Sequence, residues 1–189
     1  AENLEVSEQL IHLPLLFLDQ PKKILIIGNG WNGLIHQALK YPEAEIFYAE
    51  LDPEFLPTIY NYLSGPSQKE LTDERVKIIN QDTIAYLKNN SEKFDFILSN
   101  LPEPANYQIN RFYTKQYFQL LKNHLNPAGV AVFSLPYHQE NMDNLFTNQY
   151  LASIYKPFDQ VFKNNLIIPA QTLITIGINS DTLLYQAGD

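Results

Sequence analysis

Apolar residues fall along this chain in two rhythms. Short runs rich in Ile, Phe and Val recur at residues 24–27, 45–51, 76–79, 94–98 and 130–133. Each is bounded by polar or turn-forming residues and reads as a buried strand of a parallel sheet. Between them apolar residues recur three and four apart, which predicts helices with one apolar face. These cover residues 34–40, a stretch from Asp52-Pro53 carrying Phe55, Leu56, Ile59, Tyr60 and Leu63, and residues 83–89 with Tyr86 and Leu87 inward. A further helix, capped by Thr114, buries Tyr117, Phe118, Leu120 and Leu121. Ser64-Gly65-Pro66-Ser67 is expected to break the second helix, and Asn126-Pro127-Ala128-Gly129 to form a turn. A helix over 141–154 and strands over 161–168 and 173–178, linked by Pro169-Ala170-Gln171-Thr172, complete the pattern. Near the start, Ser7 is placed to cap a short helix over 8–10. Leu13, Leu15, Leu16 and Phe17 are expected under the sheet, with His12 a core or interface histidine.

Five alternating β and α elements followed by a hairpin predict an α/β fold. It is a doubly wound, Rossmann-like sheet of about seven strands, with the last two as the only antiparallel neighbours. Residues 1–21 read as an N-terminal segment packing on the core and 22–189 as one domain. At 189 residues, 45% hydrophobic and 18% charged, the chain is globular rather than disordered. With no cysteine and four scattered histidines, thiolate chemistry is excluded and no metal site is expected. A net charge of −8 argues against a nucleic-acid partner and is compatible with a cationic substrate. No apolar run reaches the roughly 18–20 residues of a membrane span, and no signal-peptide pattern is present. A chain starting at Ala1 is expected to be part of something longer.

The candidate chemistry gathers at strand ends. Gly28, Gly30 and Gly33 follow the first strand in GxGxxG spacing, and Glu50 stands at the tip of the second. A strand, a glycine turn, a helix and an acid about 20 residues on make a nucleoside-binding unit, in which the acid accepts both ribose hydroxyls. Asp82 and Asn100 follow the third and fourth strands. In doubly wound sheets ligands bind outside the carboxyl ends of the strands, so these features are expected to line one crevice.

His12-Leu13-Pro14-Leu15, the glycine turn, Glu50-Leu51-Asp52-Pro53, Asp82, Pro102-Glu103-Pro104 and Phe112-Tyr113-Thr114 together resemble the polyamine aminopropyltransferases, the spermidine and spermine synthases. The resemblance runs from about residue 8 to 178 and is closest to a bacterial branch in which such a domain is fused to membrane helices. It implies a fold of the S-adenosylmethionine-dependent methyltransferase type. It also implies transfer of an aminopropyl group from decarboxylated S-adenosylmethionine to an amine or polyamine, releasing methylthioadenosine. Glu50 would hold the ribose hydroxyls, and Asp82 the adenine amino group. Asn100 and Glu103 match the family's catalytic Asp-x-x-Asp, with Glu103 the general base and Tyr113 lining the acceptor pocket. A cytoplasmic location, possible homodimerisation and no metal go with this reading.

The chain also departs from that pattern. Trp31 replaces an acid that faces the aminopropyl nitrogen, Asn100 replaces another acid, and Glu103 is one methylene longer than the usual Asp. Val6 and Ser7 stand where the family has a Tyr-Gln or Tyr-His pair, and Gln171 where it has a polyamine-contacting Tyr. The family's N-terminal β-domain is largely missing from these residues. Because a bound ammonium needs carboxylate partners, the amine half of the site is eroded while the nucleoside half is kept. Loss of the acid at Trp31 also removes repulsion against a carboxylate, so S-adenosylmethionine or methylthioadenosine is expected to be accepted alongside the decarboxylated donor. The alternatives are a methyltransferase, from the Asn100-Leu101-Pro102 likeness to an Asn-Pro-Pro grip, and a non-catalytic nucleoside-binding regulator. A nicotinamide enzyme fits the glycines but not the terminal hairpin.

Overall fold

The structure, a computed structural model, describes residues 4–52, 54–136 and 149–180. Helix α1 (Leu4–Leu15) leads into strand β1 (Lys23–Ile27), a wide glycine turn (Gly30–Leu34) and α2 (Ile35–Ala38). Strand β2 (Glu45–Ala49), α3 (Phe55–Ile59), α4 (Gly65–Leu71), β3 (Val76–Ile79), α5 (Thr83–Asn89) and β4 (Phe94–Ser99) follow. Then come α6 (Tyr107–Asn110), α7 (Lys115–Asn123), β5 (Leu125–Pro136), α8 (Gln149–Val161), β6 (Asn164–Pro169) and β7 (Thr172–Ile178). The seven strands form one sheet in the order β3-β2-β1-β4-β5-β7-β6. The expected fold class holds, with one adjustment. Strand β7 is antiparallel to both β5 and β6, so the antiparallel end begins one strand earlier than the hairpin alone implies.

Alternate residues of each strand feed two cores, as the two-residue period of a strand requires. Ile24, Ile26, Ile46, Tyr48, Phe96 and Leu98 face one side; Leu25, Ile27, Phe47, Ile97 and Phe133 face the other. The second side is dominated by rings. Phe158 packs on Phe118, Phe133 and Phe162 with centroids 5.1, 4.9 and 4.7 Å apart.

Several element ends differ from the sequence pattern, each for a physical reason. Helix α1 is longer than expected: Ser7, Leu10, Ile11, Pro14 and Leu15 form one buried stripe, and Pro14, which cannot donate to a carbonyl four residues back, stands where the helix ends. Ser7 is therefore inside the helix, and its hydroxyl donates to the carbonyl of Asn32 (2.9 Å) instead of capping. Leu16 and Phe17, expected under the sheet, lie beyond the helix and are 80% and 44% exposed. His12 joins α1 to α2 through Tyr41 (2.8 Å) and Gln37 (3.0 Å). Ser64-Gly65-Pro66-Ser67 starts a helix as well as ending one. Ser64 caps α4, accepting from the Ser67 N–H, and Pro66 sits in the first turn, where its missing N–H costs nothing. Leu151, Ile154, Phe158 and Val161 continue one helical face, so the expected strand start at 161 is the end of α8. Residues 141–148 of the expected helix lie outside the described residues. The expected turn at 126–129 lies within β5, with Ala128 in the left-handed region (φ 60°).

Thr114 caps α7 as expected, accepting from the Tyr117 N–H at 3.2 Å. Thr114→Ala is expected to cost about 1 kcal/mol, a melting temperature lower by about 2–4 °C, read by thermal denaturation.

Candidate functional site

Parallel pairing sets the strand ends in a row. Ile27 is in register with Ala49 on one side and Ser99 on the other, and Ala49 with Ile79. The next residues, Gly28, Glu50 and Asn100, therefore line one edge at the point where the strand order reverses between β1 and β4. Backbone bonds continue the ladder one step further: Gly28 N–H donates to Ala49 (2.8 Å) and Asn100 N–H to Ile27 (2.9 Å).

The glycine turn is shaped by what surrounds it. Gly28 has φ +76°, and a Cβ there would stand 2.7 Å from Leu101 Cδ2 and 2.8 Å from the Asn100 carbonyl. Gly30 lies flat on the Tyr48 ring, which a Cβ would meet at 2.5 Å. Gly33 has φ +90° and faces Ser7 on α1. The N-terminal helix thus supports the outside of the turn. Trp31 packs on Phe55 at 5.9 Å between centroids. Its indole Nε1 is buried and has no hydrogen-bond partner among the described residues.

Glu50 is half-buried and held at both carboxylate oxygens. Oε1 accepts from the Leu51 N–H at 2.9 Å, and Oε2 accepts from the Tyr48 hydroxyl. Burial, followed by the Glu50 charge, pushes the Tyr48 phenol far above its ordinary range, so it remains a donor.

Asp82 has two local duties. Oδ1 caps α5, accepting from Ala85 N–H at 3.0 Å, and Oδ2 pairs with Arg111. Arg111 lies over the Phe112 ring at 4.7 Å and borders an open cleft of about 440 Å³ with Leu51, Tyr107, Gln108, Ile109 and Phe112. Through Leu51 this cleft adjoins the end of β2, next to Glu50.

Asn100 is fixed by its neighbours: Oδ1 accepts from the Ser134 hydroxyl (2.8 Å), and its carbonyl from Asn29 Nδ2 (3.2 Å). Glu103 is exposed on the following loop. Tyr113 is buried, 6% exposed, and its hydroxyl donates to the Leu101 and Pro102 carbonyls (3.1 and 2.9 Å). Its side chain holds the loop that carries Asn100 and Glu103, where the resemblance had it lining a pocket. Gln171 is exposed in the β6–β7 link, which pairing of Pro136 with Thr172 brings to the same sheet edge.

Three residues of this arrangement escaped the sequence reading. Tyr48 carried a signal, since i and i+2 on a strand share a face and Glu50 is two residues on. Arg111 and Ser134 carried none, because their partners lie 29 and 34 residues away. Among the described residues no group of three His, Cys, Asp or Glu could hold a metal ion.

Comparison with known proteins bears on the family and the fold. The spermine/spermidine synthase domain model matches residues 3–179. A polyamine aminopropyltransferase of Korarchaeum cryptofilum is 30% identical over 164 residues, 86% of this chain and 49% of its own. One from Oceanobacillus iheyensis is 34% identical over 128 residues, 66% of this chain and 25% of its own. The chain thus spans half or less of the length of these curated relatives. Among solved structures, spermidine synthase in complex with the transition state analogue AdoDATO superposes with a TM-score of 0.79 at 21% identity, covering 94% of this chain and 61% of that one. Human methyltransferase-like protein 13 in complex with SAH gives 0.63 at 18% identity, covering 94% and 82%. At such identities these structures speak to the fold alone, a Rossmann-like sheet of methyltransferase type. The family match, which takes in nearly the whole chain, is the stronger finding, and by it the chain belongs to the spermine/spermidine synthase family.

Proposed function

We propose that this domain moves an aminopropyl group from decarboxylated S-adenosylmethionine to a small amine or polyamine. The observation that carries the reading is Glu50, a carboxylate fixed beside a glycine turn at the sheet's switch point. In this reading Glu50 accepts the two ribose hydroxyls and the base enters the cleft beside Leu51. Asp82 accepts from the adenine amino group once it turns from Arg111. Gly28, Gly30 and Gly33 admit the donor, and Trp31 covers its tail.

The reaction is an in-line displacement. The acceptor nitrogen attacks the propyl carbon next to sulfur, the C–S bond breaks with its electron pair going to sulfur, and the sulfonium becomes the neutral thioether of methylthioadenosine. The attacking amine must be neutral, so a base has to take its proton. Glu103 is proposed for that role, on a loop held by Tyr113, and Asn100 orients donor and acceptor. Gln171 stands two strands along from β4, about 10 Å at ordinary strand spacing, and is proposed to meet the far end of the acceptor.

The polyamine aminopropyltransferase relatives support this reading, as does the fold shared with spermidine synthase. We further propose residues 1–21 as an N-terminal segment on a spermidine synthase-like domain over 22–189. Descent from the membrane-fused bacterial branch, a cytoplasmic setting and homodimerisation are proposed with it. No helix among the described residues is long and apolar enough to cross a membrane, so such helices would lie elsewhere in the protein.

The test is mass spectrometry of products from putrescine or spermidine, given decarboxylated S-adenosylmethionine or S-adenosylmethionine. Aminopropylated amine with release of methylthioadenosine is the expected result. Methylated amine would replace it with the methyltransferase reading, and nucleoside binding without turnover with a regulatory one.

A further inference from the structure

Tyr48 serves neither role that a strand residue in this position usually has. It is fully buried, yet its polar end reaches the site. Its hydroxyl donates to Glu50 Oε2, and the backbone N–H groups of Gly30 and Trp31 approach the same phenol oxygen. The ring lies directly under Gly30, leaving no room for a Cβ. One side chain therefore touches both parts of the nucleoside unit, the glycine turn and the acid.

The carboxylate of Glu50 offers about four lone-pair positions. Two are occupied from within the protein, one on each oxygen, by Tyr48 and by the Leu51 N–H. One position on each oxygen is left, which matches the two neighbouring hydroxyls of a ribose. Without the phenol, Oε2 loses its inner anchor, and the side chain regains rotamers that a bound sugar must then suppress. We propose that Tyr48 is a positioning residue that presets Glu50 for a cis-diol, so that the chain selects ligands by their ribose hydroxyls. This inference rests on the nucleoside reading of the site and adds to it a residue that sets ligand specificity.

The test is calorimetric titration of wild-type and Tyr48→Phe protein with methylthioadenosine and with its 2′,3′-dideoxy counterpart. Phenylalanine keeps the ring under Gly30 and removes only the hydroxyl. Tyr48→Met, whose flexible side chain fills the same space, is the second variant should the first not fold. The expected result is methylthioadenosine affinity about fivefold weaker in the variant, the cost of immobilising one freed side chain on binding, with dideoxy affinity unchanged within twofold. Equal losses for both ligands would mean the ring merely supports the turn, and no loss for either would mean that Glu50 orients itself; both overturn the phenol's role and leave the nucleoside site standing. Wild-type protein that ignores methylthioadenosine overturns the site itself.

Discussion

Glu50→Ala is expected to weaken methylthioadenosine binding by about a hundredfold, the largest functional effect of any single change in the proposed site. Two ribose hydroxyls donating to one carboxylate make two charge-assisted hydrogen bonds, each worth about 1.5–3 kcal/mol. At 1.4 kcal/mol per decade the loss is at least about two decades. The substitution also strips the buried Tyr48 hydroxyl of its acceptor, so Glu50→Gln should be measured beside it. Glutamine keeps an oxygen for the phenol but removes the charge, and an intermediate loss of tens-fold is expected. Calorimetric titration reads both. A loss smaller than threefold for the alanine variant would place the ribose elsewhere.

The largest expected effect on stability belongs to Gly28→Ala. Two costs coincide there. The backbone is left-handed at φ +76°, which costs a residue with a Cβ about 1–2 kcal/mol. The added methyl would also stand 2.8 Å from the Asn100 carbonyl oxygen and 2.7 Å from Leu101. Overpacking of this kind costs about 1–3 kcal/mol, and a backbone atom in a parallel ladder gives way less readily than a side chain. Set against a gain of about 0.4–1 kcal/mol from a stiffer unfolded chain, the net loss is about 3 kcal/mol. That is a melting temperature lower by about 6–12 °C for a domain of this size. Gly65 supplies the control: nothing lies within 4 Å of its Cβ position and its φ is not positive, so Gly65→Ala should be neutral or slightly stabilising. If the two variants melt together, the account of the turn is wrong.

The two glycines show how position decides function in this fold. Gly28 must be glycine because β1 and β4 pair so closely that Asn100 stands over it. The same closeness brings the backbone of the turn within reach of a ligand in the crevice. Two departures from the family pattern lie at this same turn. Trp31 is packed against Phe55, and Asn100 is tied to Ser134. Neither supplies a charge, and Glu103 is the acid on the loop that follows β4.

Much of this architecture is local and so could be read from the sequence. A strand of four to six residues announces itself by apolar, β-branched composition, and a strand-turn-helix by its glycines, because those preferences act within a few residues. The order of such units then restricts the sheet to very few topologies, since crossovers between parallel strands have one hand. That is why the sequence alone places Gly28, Glu50 and Asn100 at strand ends. The tertiary structure alone decided how far α1 and α8 extend and where their buried stripes lie. It also decided that Tyr48 bonds Glu50, that Arg111 pairs with Asp82, that Ser134 holds Asn100 and that Tyr113 holds a loop. These are pairings across the sheet edge, made by polar atoms at the ends of side chains. Their energy depends on distance and angle between segments far apart in the chain, which no local pattern of hydrophobic and polar residues specifies.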